Sequence, residues 1–240
     1  MSQNSPVDTL DALAASLRPF HGIVAVDGPS GVGKSTISRG VAGRLGARYV
    51  DTGAMYRALT RAVLDAGADP KDRDAVLEVL ARTEIGLSTG PDRPQVVTVD
   101  GVDVTTAIRQ PAVDAAVSAV SAYEEVRAPM VDRQRALAGD GAVVEGRDIG
   151  TVVFPDATLK IFLTADAAET RSRRAAERGS DETSAAEAIR LRDARDSGRA
   201  HSPLRRAADA IELDNSVPGA QDAVVRKVLE LLATRARERA

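Results

Sequence analysis

Eight residues, Gly28-Pro-Ser-Gly-Val-Gly-Lys34-Ser35, follow the spacing G-x-x-x-x-G-K-[ST] in full. This is the pattern of a loop that cradles phosphates. Its glycines admit backbone angles closed to other residues, so successive N–H groups can turn into one concavity. A helix that starts where the loop ends adds its positive pole. Lys34 then reaches the β- and γ-phosphates of a nucleoside triphosphate, and the Ser35 hydroxyl is placed to ligate Mg²⁺. The residues expected to hold the triphosphate are Gly28, Pro29, Ser30, Gly31, Val32, Gly33, Lys34, Ser35 and Thr36. The motif leaves the reaction open, because many chemistries use such a loop.

Four further clusters bear on what the phosphate meets. Asp51-Thr-Gly-Ala-Met-Tyr-Arg57 brings hydroxyls, an aromatic ring and an arginine together, enough to hold a second phosphorylated ligand. It reads equally as a strand-to-helix turn in which Thr52 caps the helix. Glu145-Gly-Arg-Asp148 follows a buried strand directly, and ligands of open parallel sheets collect at the C-terminal strand ends. Arg192, Arg195 and Arg199 are spaced three and then four residues apart, on one side of a helix. Guanidinium forks suit phosphate oxygens, yet such charge patterns taken alone more often make a salt-bridged surface helix. Arg171, Arg173 and Arg174 read mainly as solvated surface.

The elements that must position these groups alternate. Gly22–Val26 is a β-branched run that suits a strand buried on both faces. After Gly33 the spacing of Ile37, Val41 and Leu45 turns helical, and Gly46 is a stop. Further strands are expected at Arg48–Val50, Ala142–Val144, Lys160–Leu163 and Ala210–Leu213. Helices are expected at 54–66, 72–81, 112–122, 124–138, 166–177, 184–196 and 220–237. Glu84–Leu87, Val96–Val99 and Val102–Val104 form a small antiparallel insert, with Asp100-Gly101 as a hairpin signal. The alternation implies an α/β fold with a parallel sheet covered on both sides.

The chain has 240 residues, which suits one α/β domain with inserted segments. The net charge of −3 gives no footprint for a nucleic-acid polymer. No apolar run approaches the roughly 20 residues of a membrane span. There is no cysteine, which excludes a thiolate nucleophile, a disulfide framework and a cysteine zinc site. The two histidines, His21 and His201, are too scattered to form a metal cage. The first residues do not resemble a secretory signal, so a cytoplasmic setting is expected. Val7–Leu17 has some helical spacing, but the expectation for residues 1–20 is a flexible N-terminal extension.

Taken together, these stretches resemble the bacterial cytidylate kinases, a branch of the nucleoside monophosphate kinases. The likeness rests on D-G-P-S-G-V-G-K-S from Asp27, D-T-G-A-M-Y-R from Asp51, V-R-x-x-M-V-D-R-Q-R from Val126, E-G-R-D-I-G-T-V-V-F-P-D-A from Glu145, and R-D-A-R-D-S-G-R from Arg192. They occur in the family's order over residues 22 to about 235. The resemblance implies a P-loop core with a nucleotide-binding insert and a short helical lid. Within a single domain over 21–240, the core would comprise 21–67, 139–164 and 208–240, the insert about 68–138, and the lid about 165–200. By the same resemblance Thr52, Tyr56 and Arg57 line the acceptor pocket, while Ser118 and Arg133 approach the nucleoside. Arg147 meets the phosphate and Asp148 the base. Arg192 and Asp196 hold the sugar and nearby phosphate, and Arg199 the phosphates in flight. Glu145 stands where some members have aspartate, and would hold Mg²⁺ through water.

The implied reaction moves the γ-phosphoryl group of ATP to CMP, with dCMP as a second acceptor. A phosphate nucleophile is anionic near neutral pH and needs no strong base, which suits clusters without histidine. Catalysis falls to positioning and to the cations Lys34, Arg147, Arg192 and Arg199. A monomer is expected, with no partner beyond the nucleotides. The alternatives are a kinase for another small acceptor, such as UMP or shikimate, and a nucleotide-dependent switch without a second pocket.

Overall fold

The computed structural model of the chain describes residues 6–90, 94–178, 182–199 and 202–238. Five parallel strands run through its centre: β1 (Gly22–Asp27), β2 (Arg48–Asp51), β6 (Gly141–Gly146), β7 (Leu159–Thr164) and β8 (Ile211–Asp214), in the order β2-β6-β1-β7-β8. Because β6 lies between β1 and β2, three strand ends meet side by side. In register, Asp51 stands opposite Glu145, and Asp27 opposite Gly146.

Side-chain alternation sets the two faces. Val24, Val26, Val143 and Tyr49 face one layer, made by α2 (Lys34–Leu45), α9 (Gln221–Glu238) and α1 (Pro6–Ser16). Ala25, Val50, Ala142 and Val144 face the other. There Val131 and Ala138 of α6 (Glu124–Ala138) cover them, with a π-helical turn over Ile149–Val153. Thus α6, assigned from sequence to the insert, also serves as a layer of the core. Both layers bury near-continuous aliphatic surface, the main driving force for folding.

The insert consists of α4 (Arg73–Arg82), an antiparallel sheet of β3 (Ile85–Leu87), β4 (Val97–Val99) and β5 (Val102–Asp103), a short 3₁₀ turn at Ala107–Arg109, and α5 (Pro111–Val120). It packs on α3 (Thr52–Asp65). The hairpin between β4 and β5 turns at Asp100 and Gly101, with φ of 50° and 79°. Two positive φ values at a two-residue loop define the turn that matches strand twist. The segment expected to form the lid holds α7 (Ala167–Arg178) and α8 (Glu182–Ser197), and α8 meets α5.

The flexible extension expected over residues 1–20 is corrected in part. Residues 6–16 form α1, and Leu10 and Ala14, four apart and so on one helix face, are buried in the first core layer. Arg18 then donates to the carbonyls of Arg44 (2.8 Å) and Gly43 (3.0 Å), capping the last turn of α2. Residues 1–5 of that extension lie outside the described residues. Among the described residues no helix is long and apolar enough to cross a membrane.

Candidate active site

The phosphate loop joins β1 to α2. Gly33 is the N-cap of α2 at φ 91°, a left-handed angle that glycine takes without strain. Of the loop residues, Ser30, Gly31, Gly33, Lys34, Ser35 and Thr36 line a cleft of about 560 Å³. Val32 does not: its side chain is buried in the core. The Lys34 ammonium donates to the carbonyls of Gly28 (2.8 Å) and Pro29 (2.5 Å). Burial, with Arg147 close by, pushes Lys34 down to about 7 against the pull of Glu145.

Phosphate arriving at the loop should reverse that shift. Burial leaves free Lys34 easier to deprotonate than an ordinary lysine, and a polyanion beside it raises its pKa. Binding of magnesium-free ADP should therefore take up protons. Calorimetry in two buffers of different ionisation heat reads the sign directly. Net proton release would show that Lys34 is already charged in the free protein.

Three carboxylates stand at the strand ends. Asp27 accepts from the backbone N–H of Ile149 (2.8 Å) and Gly150 (2.7 Å), tying β1 to the turn that follows Arg147 and Asp148. Burial outweighs those bonds and raises Asp27 to about 6. Asp51 is the N-cap of α3, accepting from Ala54 N. This settles the role of Thr52, which is not the cap: its hydroxyl donates to the Glu145 carbonyl at 2.8 Å. Glu145 is the last-but-one residue of β6 rather than part of a following loop. It accepts from the Tyr49 hydroxyl, and Arg39 lies 5.3 Å from the Tyr49 ring centre. Burial, with Asp51 beside it, raises Glu145 to about 7, opposed by Lys34 and by hydrogen bonds from Tyr49 and Ser35.

The donor set at this edge fits Mg²⁺. Ser35 hydrogen-bonds to the buried Glu145 carboxylate, both line the cleft, and Asp51 lines it too. No group of three or more His, Cys, Asp or Glu that could hold a metal occurs among the described residues. Sparse protein ligation of this kind is what Mg²⁺ uses beside phosphates, where it keeps several waters.

Across the cleft the arginines are gathered by two aspartates. Asp196 on α8 is almost fully buried. It accepts from Arg147 (3.1 Å), Arg199 (2.6 Å) and Ser118 (3.3 Å), and Arg192 lies 3.9 Å away. Burial alone would raise its pKa, but Arg147, Arg199 and Arg192 together hold the carboxyl below its ordinary value. Asp114 on α5 pairs with Arg57, and Arg192 lies 3.9 Å from it. Burial, with Arg147 and Arg57 near, lowers Arg192 to about 9. Arg147 also donates to Ser30 Oγ (2.8 Å), so one guanidinium joins the phosphate loop to α8. Arg192 on α8 and Arg199, just beyond its end, both turn to Asp196, whereas Arg195 is exposed to solvent. The surface-helix reading therefore holds for Arg195 alone among these three.

Asp148, expected at the base, has as its ion-pair partner a residue to which the sequence reading assigned no role. Asp148 is bound by Arg127, and both are buried. Arg127 also lies 5.2 Å from the Tyr56 ring centre and donates to the Ser121 carbonyl (3.2 Å). Arg133 is half-buried, and its Nη1 has no partner. Arg127 Nε is buried without a hydrogen-bond partner, and Tyr56 Oη and the Gln134 amide are buried side by side. Unpaired buried donors such as Arg127 Nε and Arg133 Nη1 are rare in native folds and mark a place where a polar ligand or water belongs. Arg199 donates to Ser121 Oγ (2.8 Å) at the edge of this group.

Arg173 also departs from the solvated lid surface expected of it. It is mostly buried, and donates to Glu169 (2.6 Å), to the Asn215 carbonyl (2.7 Å) and to the Val32 carbonyl (3.4 Å). The side chain of Arg174 lies outside the described residues.

Sequence reasoning missed Asp27, Tyr49, Asp114, Arg127, Arg173 and Asn215. Asp27 and Arg127 stand inside recognised motifs, so their positions were available and only their roles were not. Asp114 carries no motif signal.

A phosphate loop that shares one cleft with an arginine-lined second half-site defines a P-loop phosphotransferase with two ligands, rather than a switch with one. A family model described as cytidylate kinase matches residues 24–234. The chain is 48% identical over 221 residues to a cytidylate kinase of Streptomyces avermitilis, covering 90% of this chain and 93% of that one. It is 51% identical over 202 residues to one of Mycobacterium avium, covering 81% and 88%. Among solved structures, an uncharacterized protein from Eubacterium ventriosum matches with a TM-score of 0.50 at 12% identity, covering 89% of this chain and 99% of that one. That last likeness concerns the fold alone. The chain belongs to the cytidylate kinase family, and is a phosphotransferase that phosphorylates CMP with ATP.

Proposed function

We propose that the two halves of the cleft divide the work, with ATP phosphates on the loop of Gly28–Thr36 and CMP between α3, α5 and α8. On the donor side the loop amides and Lys34 carry the β- and γ-phosphates. Ser35 would ligate Mg²⁺, and Glu145 would hold it through water. When bound, that ion neutralises charge on the β- and γ-oxygens. On the acceptor side Arg57, Arg147 and Arg192 take the CMP phosphate, with Thr52 and Tyr56 lining the pocket. Ser118 and Asp196 face the sugar, and Asp148 with Arg127 reads the base. The roles assigned to Arg133 by resemblance pass to Arg127 in this proposal.

In the transfer an oxygen of the CMP phosphate forms a bond to the γ-phosphorus. The bond from that phosphorus to the β,γ-bridging oxygen breaks, and ADP departs with the electron pair. No proton need leave the nucleophile, so no general base is required. Arg147, held by Asp196 and bonded to Ser30, is placed between donor and acceptor phosphates. This bridge is the observation that carries the proposal. Lys34, Arg192 and Arg199 supply the remaining positive charge. The lid of about 165–200 closes over the phosphates and keeps water from the transferring group. The protein acts as a monomer.

The hydrogen-bond partners of Asp196 other than Ser118 are cationic, so recognition rests on phosphates and base more than on one sugar hydroxyl. Hence dCMP should serve as well as CMP to within about tenfold, because one hydrogen bond is worth about 0.5–1.5 kcal/mol. UMP should be used at least about tenfold less well. A coupled assay of ADP release with CMP, dCMP and UMP measures all three. Equal kcat/KM for UMP and CMP would overturn the base assignment.

A further inference from the structure

One residue outside every recognised motif grips the phosphate loop. Asn215 directly follows β8 and is almost fully buried. Its Nδ2 donates to the Val32 carbonyl at 2.8 Å. A carbonyl only accepts, so the amide nitrogen must be the atom that faces it. In a trans peptide the C=O and the following N–H point in opposite directions. A Val32 carbonyl tied outward to the end of β8 therefore aims the Gly33 N–H the other way. Gly33 lines the cleft and Val32 does not, as this orientation requires.

The contact also explains the glycine. A Cβ on Gly33 would lie 2.5 Å from Asn215 Nδ2 and 3.3 Å from Arg173 Nη1. Only a residue without a side chain lets the amide approach the loop this closely. Arg173, from the first helix of the lid, closes the arrangement by binding the carbonyls of both Asn215 and Val32.

We infer that Asn215, secured by Arg173, is a positioning residue that sets the phosphate loop for the donor nucleotide. It does not line the cleft and acts through the Val32–Gly33 peptide. The inference rests on the placement of ATP phosphates at this loop. It predicts an effect confined to the donor side of the cleft.

The test is calorimetric binding of ADP and of CMP, each alone, to Asn215→Asp, Asn215→Ala and Arg173→Lys. Asn215→Asp keeps the shape but sets a carboxylate against the carbonyl, and should raise the Kd for ADP by about tenfold or more. Asn215→Ala should do the same to a smaller extent, and remains available if the aspartate variant does not fold. Arg173→Lys keeps the charge but loses the fork, so any rise in ADP Kd there cannot be a loss of bulk charge. CMP should bind all three variants within about twofold of the parent protein. The steady-state counterpart is a higher KM for ATP with KM for CMP unchanged. A general loosening of the fold would weaken both ligands alike, and that result overturns the inference. So does unchanged ADP affinity in both Asn215 variants. Lys34→Met serves as the control: if it weakens ADP binding while the Asn215 variants do not, the loop still holds the donor and only the role of Asn215 is lost.

Discussion

Lys34→Met is expected to lower kcat by on the order of a hundredfold or more, with stability little changed. Losing a single preorganised donor to developing charge costs about 10²–10³ in other enzymes, and Lys34 is the cation built into the loop itself. Methionine keeps the length and the apolar stem but presents no charge. In the free protein the ammonium bonds only to carbonyls of its own loop, at Gly28 and Pro29. Burial already weakens its charge there, so its removal relieves a desolvation cost while losing those two bonds. The two effects oppose, which is why the thermal midpoint should move little while turnover collapses. Turnover near normal in a purified, folded variant would sink the catalytic assignment of Lys34.

The second large effect is expected in the base preference of Asp148→Asn. Cytosine offers an amino donor at N4 and an acceptor at N3, whereas uracil presents the reverse at both positions. A carboxylate can accept from the first, and the guanidinium of Arg127, whose Nε lacks a partner, can donate to the second. Asparagine keeps the shape and adds a donor that suits the uracil O4. The ratio of kcat/KM for CMP over UMP should fall by about tenfold or more, at roughly 1.4 kcal/mol per decade. Stability should fall as well, because Asp148 and Arg127 form a buried pair and the substitution leaves the guanidinium without its counter-charge. Absolute rates will carry that cost, but the ratio cancels it. An unchanged ratio would place base reading on other residues.

The sheet and most helices were legible because their signals are local. The aliphatic runs at β1, β6 and β7 and the glycine stop at Gly46 need no tertiary context. The phosphate loop was legible for the same reason, since its spacing encodes its own conformation. What stayed hidden depends on pairs far apart in the chain. Arg127 and Asp148 are 21 residues apart, and Arg173 and Asn215 are 42 apart. Nothing in either neighbourhood names the other. Arg173 is instructive: in sequence it sits among charged neighbours and reads as solvated, yet folding turns it onto the loop. The π-helical turn at Ile149–Val153 was equally hidden, because it is set by Asp27, which is 122 residues before Ile149. Residues 6–16 show the opposite error. Their weak helical spacing was sufficient once α9 and α2 supplied a surface to bury Leu10 and Ala14.

The gathering of guanidiniums around Asp196 and Asp114 changes what substrate binding can mean here. Like charges this close would drive one another apart, and α8 with them, if no anion stood between them. Each cation instead has a resident counter-ion supplied by the protein. On the proposed placement of CMP, a phosphate entering the cleft would therefore take part in an exchange, sharing these arginines with carboxylates that already bind them. The gain per contact is smaller than a bare arginine would give, because an existing ion pair is loosened as the new one forms. In return the two aspartates offset part of the positive charge of Arg57, Arg147, Arg192 and Arg199 when no phosphate is there to meet it.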